Sequence, residues 1–113
     1  MNYYHMWFNL RPQVRPNEFC KAVDAYLGYL KSRDLIAGWR LTRRKFGFGP
    51  AALGEYHVAV EVRDLTQLDA AFGRVAQRDA EVETLHRPVY TAVTDFQSAL
   101  YRDYPDWGPN ATM

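Results

Sequence analysis

A chain of 113 residues, 48% of them hydrophobic and 24% charged, has the size of one domain and the apolar bulk for one core. Fourteen Lys and Arg against 13 Asp and Glu leave a net charge of +1, which excludes a long-range field able to recruit a polyanion. A single cysteine, Cys20, excludes an internal disulfide or a multi-cysteine metal cluster. With neither a leader pattern nor a membrane-length apolar run, the expected setting is a reducing, cytoplasmic one.

The first element is predicted at once. Asn2 to Leu10 (NYYHMWFNL) is aromatic-rich and stops at Arg11-Pro12, the pattern of a strand. Its period of two sorts Tyr4, Met6, Phe8 and Leu10 onto an apolar side and Tyr3, His5, Trp7 and Asn9 onto an aromatic-polar one. After the turn from Pro12 to Pro16, Phe19, Val23, Tyr26, Leu27 and Leu30 recur at helical spacing. They predict a helix over 17–33 with Asn17 as its cap, Glu18 in its first turn and Cys20 buried.

Ile36 to Phe46 alternates imperfectly and is read as a second strand, with Ala37, Trp39 and Leu41 on one side and Gly38, Arg40, Thr42 and Arg44 on the other. Residues 47–54 (GFGPAALG) carry three glycines and a proline and form a loop. Glu55 to Arg63 is the cleanest strand, with Tyr56, Val58, Val60 and Val62 opposed to His57, Ala59 and Glu61. Asp64 and Gln67 have the spacing of a reciprocal helix cap, and Leu68, Ala71, Phe72 and Val75 continue as a helical stripe. Val82, Leu85 and Val89 prolong the stripe, with a break expected near Pro88, which lacks a donor. Thr94 to Asp103 completes the order as a fourth strand. The irregular tail holds Tyr104, Pro105, Trp107 and Pro109, whose aromatics are expected to dock.

The resulting β-α-β-β-α-β order, the leading strand at the very start and the aromatic-polar second face resemble the dimeric α+β barrels of the ferredoxin-like superfamily. The resemblance implies an α+β fold: an antiparallel four-stranded sheet with helices on one face, facing the sheet of a second copy to close a barrel. It also implies that the interior holds a small ligand or an active site. If the chain is an enzyme, a cofactor-independent monooxygenase-like or isomerase-like activity is implied, with no cofactor. The physical argument agrees, because a bare sheet face carrying Tyr3, His5, Trp7, His57 and Glu61 is better covered by a partner sheet than by water.

The candidate site follows from that face. His5 and His57 are the expected acid and base, because paired imidazoles titrate near neutral pH. Tyr3, Trp7, Asn9, Trp39, Arg40 and Glu61 are the expected ligand contacts, with Arg44 as a further holder of a carboxylate. Two imidazoles beside a carboxylate also suit a divalent ion, but no compact ligand motif accompanies them and no metal is assigned. The competing reading is a homodimer without catalysis, whose polar seam consumes both histidines. Asn9 and Trp7 invite comparison with haem-degrading relatives, yet the third strand offers no Trp. His86, the one available helical histidine, reads as an ordinary amphipathic helix residue.

Lys45-Phe46-Gly47-Phe48-Gly49 echoes the signature of RNA-recognition domains, and Arg40, Arg43 and Arg44 add basic character. Gly49-Pro50 closes that segment before the third strand begins, however, and Met6 stands where a stacking aromatic is needed, so RNA binding is disfavoured. Gly49 to Gly54 has the gap of a phosphate loop but continues into Glu55-Tyr56, which would repel an anion.

Overall fold

The computed structural model describes residues 1–77 and 80–105. Its elements are β1 (Asn2–Leu10), α1 (Pro16–Ser32), β2 (Gly38–Arg43), β3 (Tyr56–Val62), α2 (Leu65–Ala76), α3 (Ala80–Tyr90) and β4 (Val93–Arg102). The four strands form one antiparallel sheet in the order β2-β3-β1-β4, so the two central strands are the two with the strictest alternation. Helices cover one side of it. Tyr56, Val58, Val60 and Val62 are buried beneath them together with Phe8. From α1 come the five residues of the predicted stripe, Phe19, Val23, Tyr26, Leu27 and Leu30, all buried.

Local signals account for the boundaries. α1 begins at Pro16, whose ring presets a helical φ, with Arg15 at the capping position and no side-chain cap; Asn17 lies inside the first turn and does not cap. Asp64 accepts from the Gln67 backbone N–H at 2.9 Å, and the Gln67 side chain reaches back to the Arg63 N–H at 2.8 Å. The reciprocal cap therefore spans one residue more than expected. Gln67 also donates to the Asp34 carbonyl at 3.0 Å, so this buried amide joins the α1–β2 turn to the start of α2.

Four expectations need correction. The second helical region divides after Ala76 into α2 and α3 rather than at Pro88, which sits in the last turn of α3 and removes only a final backbone bond. β2 is shorter than 36–46, because Phe46 and Gly47 both adopt positive φ and turn the chain away from the sheet. Cys20 is exposed, one position round the helix from Phe19. Tyr104 is 87% exposed instead of docked, and Trp107, Gly108 and Pro109 of the expected tail lie outside the described residues.

The loop between β2 and β3 is held by two devices. The Arg44 guanidinium donates to the carbonyls of Pro50 and Leu53 at 3.0 and 2.8 Å, so it is committed to the loop rather than to a ligand. Gly54 is buried against β1, and a Cβ there would overlap the Phe8 backbone. Replacing Gly54 by Ala should therefore cost about 2 kcal/mol or more, because the clash is with backbone that cannot rotate away. Urea unfolding checks this, and an unchanged midpoint would contradict the close approach.

Candidate functional site on the open sheet face

Register decides which candidates meet. Across β3 and β1, Glu61 pairs with Tyr3, Ala59 with His5 and His57 with Trp7; β2 adds Gly38, Arg40 and Thr42 to the same rows. β4 adds Tyr101, Ala99 and Gln97. Tyr3, His5, Trp7, Arg40, His57 and Glu61 thus share the face that the helices leave uncovered. Trp39 does not. It pairs with Val60 and packs against the core on the helix side, so its grouping with Tyr3 and Trp7 is corrected by the β2–β3 register.

At the centre, His5 Nδ1 and His57 Nε2 are 2.8 Å apart, a hydrogen bond between two half-buried imidazoles. Trp7 stacks against both rings, with centroids at 5.6 Å from His5 and 5.1 Å from His57, and Tyr101 meets His5 edge-on at 5.0 Å. Thr42 supplies the far end: its hydroxyl donates to the His57 carbonyl at 3.4 Å, which turns its lone pairs toward His57 Nδ1 at 3.3 Å. The consistent proton assignment makes Nδ1 of each ring the donor, His57 to Thr42 and His5 to His57 Nε2. His5 Nε2 then keeps a free lone pair.

The other candidates have firmer attachments. The Asn9 amide accepts from the Glu55 N–H at 2.9 Å and donates to Asp95 at 3.1 Å, where β4 bulges and Asp95 takes a positive φ. It clamps three segments and is used at both ends. Tyr3 donates to Asp103 at 2.7 Å; that bond to a carboxylate, then burial, holds the phenol above its ordinary range. Glu61 lies over Gly38 and hydrogen-bonds neither imidazole, while Arg40 is exposed beside Ala59. Among the described residues no three His, Cys, Asp or Glu side chains gather as a metal ion would need.

A second concave feature lies on the other side of the sheet. An apolar cavity of about 340 Å³ is enclosed between the strands and the helices, and His86 of α3 is in its wall. The sequence reading placed His86 on an ordinary helix face. The signal that identifies it is its spacing, four residues after Val82 and three before Val89, which puts it on the stripe that packs inward.

Matched over residues 1–113 is the family described as Family of unknown function (DUF6614). The chain belongs to that family. No protein of curated function matches it. Its fold is that of solved ferredoxin-like proteins. The Arabidopsis thaliana protein At3g17210 superposes with a TM-score of 0.70 at 5% identity, over 91% of this chain and 95% of that one. A dimeric ferredoxin-like protein of unknown function from Thermobifida fusca gives a TM-score of 0.60 at 12% identity, covering 89% and 90%. A NIPSNAP family protein from Agrobacterium tumefaciens gives 0.63 at 13% identity, covering 97% and 98%. The member of this family described here is therefore an antiparallel ferredoxin-like domain, and among its described residues no helix is long and apolar enough to cross a membrane.

Burial, and secondarily the charge of His5, holds His57 below the ordinary imidazole value of 6.5. His86 is lowered mainly by burial, with Glu83 opposing. For both, the unfolded chain binds the proton first as pH falls. Their contribution to stability is complete above about 6.5 and is lost on acidification through the lower folded values. The melting temperature should accordingly fall between pH 7.5 and about pH 5, before the carboxylates protonate. In a His57→Gln, His86→Gln double variant the decline in that window should shrink, and a flat profile for the native chain would contradict the linkage.

Proposed function

We propose that the DUF6614 protein works as a homodimer whose two open sheet faces close a barrel, and that a small apolar or aromatic molecule is bound there against the His5–His57 pair. The observation that carries this reading is the 2.8 Å bond between two half-buried imidazoles walled by Trp7 on a face no helix covers. Rings and a histidine pair on an exposed sheet are a poor match for bulk water and a good match for a second sheet. The Thermobifida fusca protein of the same fold is described as dimeric, which favours the same assembly here.

In that setting His5 Nε2 is the base. It would take a proton from an acidic C–H or O–H of the ligand, and the His57 and Thr42 bonds would hold the ring and its tautomer in place. Trp7 and Tyr101 would supply flat apolar walls, and Arg40 a charge at the edge. The same assembly without any ligand, a seam in which each histidine merely satisfies the other, differs in one measurable respect: it leaves no space between the sheets.

Two measurements test the reading. Trp7→Asp should turn a dimer into a monomer in native mass spectrometry at micromolar concentration, since a central interface Trp commonly contributes about 2 kcal/mol or more. A screen of small aromatic compounds by saturation-transfer NMR should yield binders of the native dimer that lose about tenfold or more affinity in a His5→Ala, His57→Ala double variant that is still dimeric. A native monomer removes the barrel. If every binder is indifferent to the double variant, the site is removed and the seam is left.

A further inference from the structure

We infer that each chain also carries a small-molecule site inside the protomer, between sheet and helices, that takes an uncharged and mostly apolar molecule of roughly ten to fifteen non-hydrogen atoms bearing one hydroxyl or carbonyl group. This site does not rest on the barrel reading. Its walls include Tyr4, Met6 and Phe8 of β1, whereas His5 and Trp7 belong to the opposite side of that strand and His57 to the same opposite side of β3.

Space comes first. The cavity of about 340 Å³ lies at the lower end of the range for ligand pockets and equals roughly eleven water volumes. Among the described residues no Asp, Glu, Lys or Arg lines it; Val23, Val58, Val60, Leu68 and Val89 set its character. Phe72, Tyr90 and Phe96 belong to its lining and are also 48%, 41% and 51% exposed, so they form its mouth. Exposed rings at the rim of an apolar hole are what an apolar molecule meets on entry.

Chemistry comes second. Tyr26 of α1 and His86 of α3 stack in the wall, with centroids 4.7 Å apart, and Tyr90 stands 4.8 Å from the imidazole. The Tyr90 hydroxyl is used, donating to Glu83 at 2.9 Å. Neither the Tyr26 hydroxyl nor the His86 ring nitrogens have a hydrogen-bond partner among the described residues. Among the described residues no fully buried side-chain polar atom lacks a partner, so these groups are not sealed in. Burial keeps the imidazole uncharged near neutral pH and pushes Tyr26 up to about 12. The wall therefore offers neutral donors and one ring lone pair, which match a hydroxyl or a carbonyl. A carboxylate would give up its hydration and meet no cation among the described residues.

The probes are 1-naphthol, naphthalene and 1-naphthoate, titrated into the native protein and followed by methyl chemical shifts. The expected result is saturable binding of 1-naphthol that moves the methyl groups of Val23, Val58 and Val89, whereas shifts at Ala59 and Ala99 would report occupancy of the open face separately. Naphthalene and 1-naphthoate should each bind about tenfold more weakly. His86→Phe keeps the ring and should weaken 1-naphthol about tenfold while leaving naphthalene unchanged. Ala71→Phe, which fills the space, should abolish binding; if that variant does not fold, the shift map and His86→Phe decide. The inference is overturned if 1-naphthol does not bind, if the shifts fall on Ala59 and Ala99 alone, if naphthoate binds best, or if His86→Phe affects alcohol and hydrocarbon alike.

Discussion

Trp7 pairs with His57 and Tyr4 with Val60, and that register decides the side of the sheet on which every side chain of β1 and β3 lies. Because a strand's side chains alternate, a slip of one residue would carry Phe8 to the open face and drive Trp7 and His5 beneath the helices. Phe8, Val58, Val60 and Val62 are all less than a tenth exposed. Exposing side chains of that kind costs roughly 1.5–3 kcal/mol each, so turning over either strand would remove a large share of the net stability of a small domain. Asn9 reinforces the register from the end of β1, since its amide grips Glu55 on one side and Asp95 on the other.

The two faces solve the problem of polar groups in opposite ways. On the open face the imidazoles bond to one another and to Thr42 beside Trp7, and only His5 Nε2 is left over for a ligand. Beneath the helices the polar groups are few, and the packing leaves a space of about 340 Å³. That space opens to solvent at Phe72, Tyr90 and Phe96, so it is a cleft that a molecule can enter rather than a closed void.

Much of this architecture is legible in the residues, and the reason is periodicity. β1 and β3 alternate strictly, so their ends and both faces follow from the sequence; α1 carries an unbroken apolar stripe, so its buried residues follow too. What escapes is whatever depends on a partner element. Trp39 alternates correctly with Arg40, but only the pairing with Val60 tells which of the two faces the helices. Cys20 adjoins Phe19, and its apolar nature suggested burial although the stripe was already full. Of the proposed ligand contacts, Tyr3, Trp7, Arg40 and Glu61 reached the expected face because they stand on the strict strands or opposite them. The occupied amide of Asn9 depends on a bulge in β4 that no local pattern announces.

β1 is the strand shared by both concave sides, which raises the question of whether they communicate. Tyr4, Met6 and Phe8 line the cavity, while Tyr3, His5 and Trp7 face the other way, so the two sets of side chains touch through backbone alone. A central strand hydrogen-bonded on both edges is a poor two-state element; it has no alternative packing that one occupant could select and the other oppose. Contacts made on opposite sides of such a strand, with no shared partners, are expected to add rather than couple. A molecule in the cavity should therefore leave the association of the open faces nearly unchanged, unless it displaces Val93 or Phe96, the two described residues of β4 in the cavity wall, through which an occupant could press on the edge of the sheet.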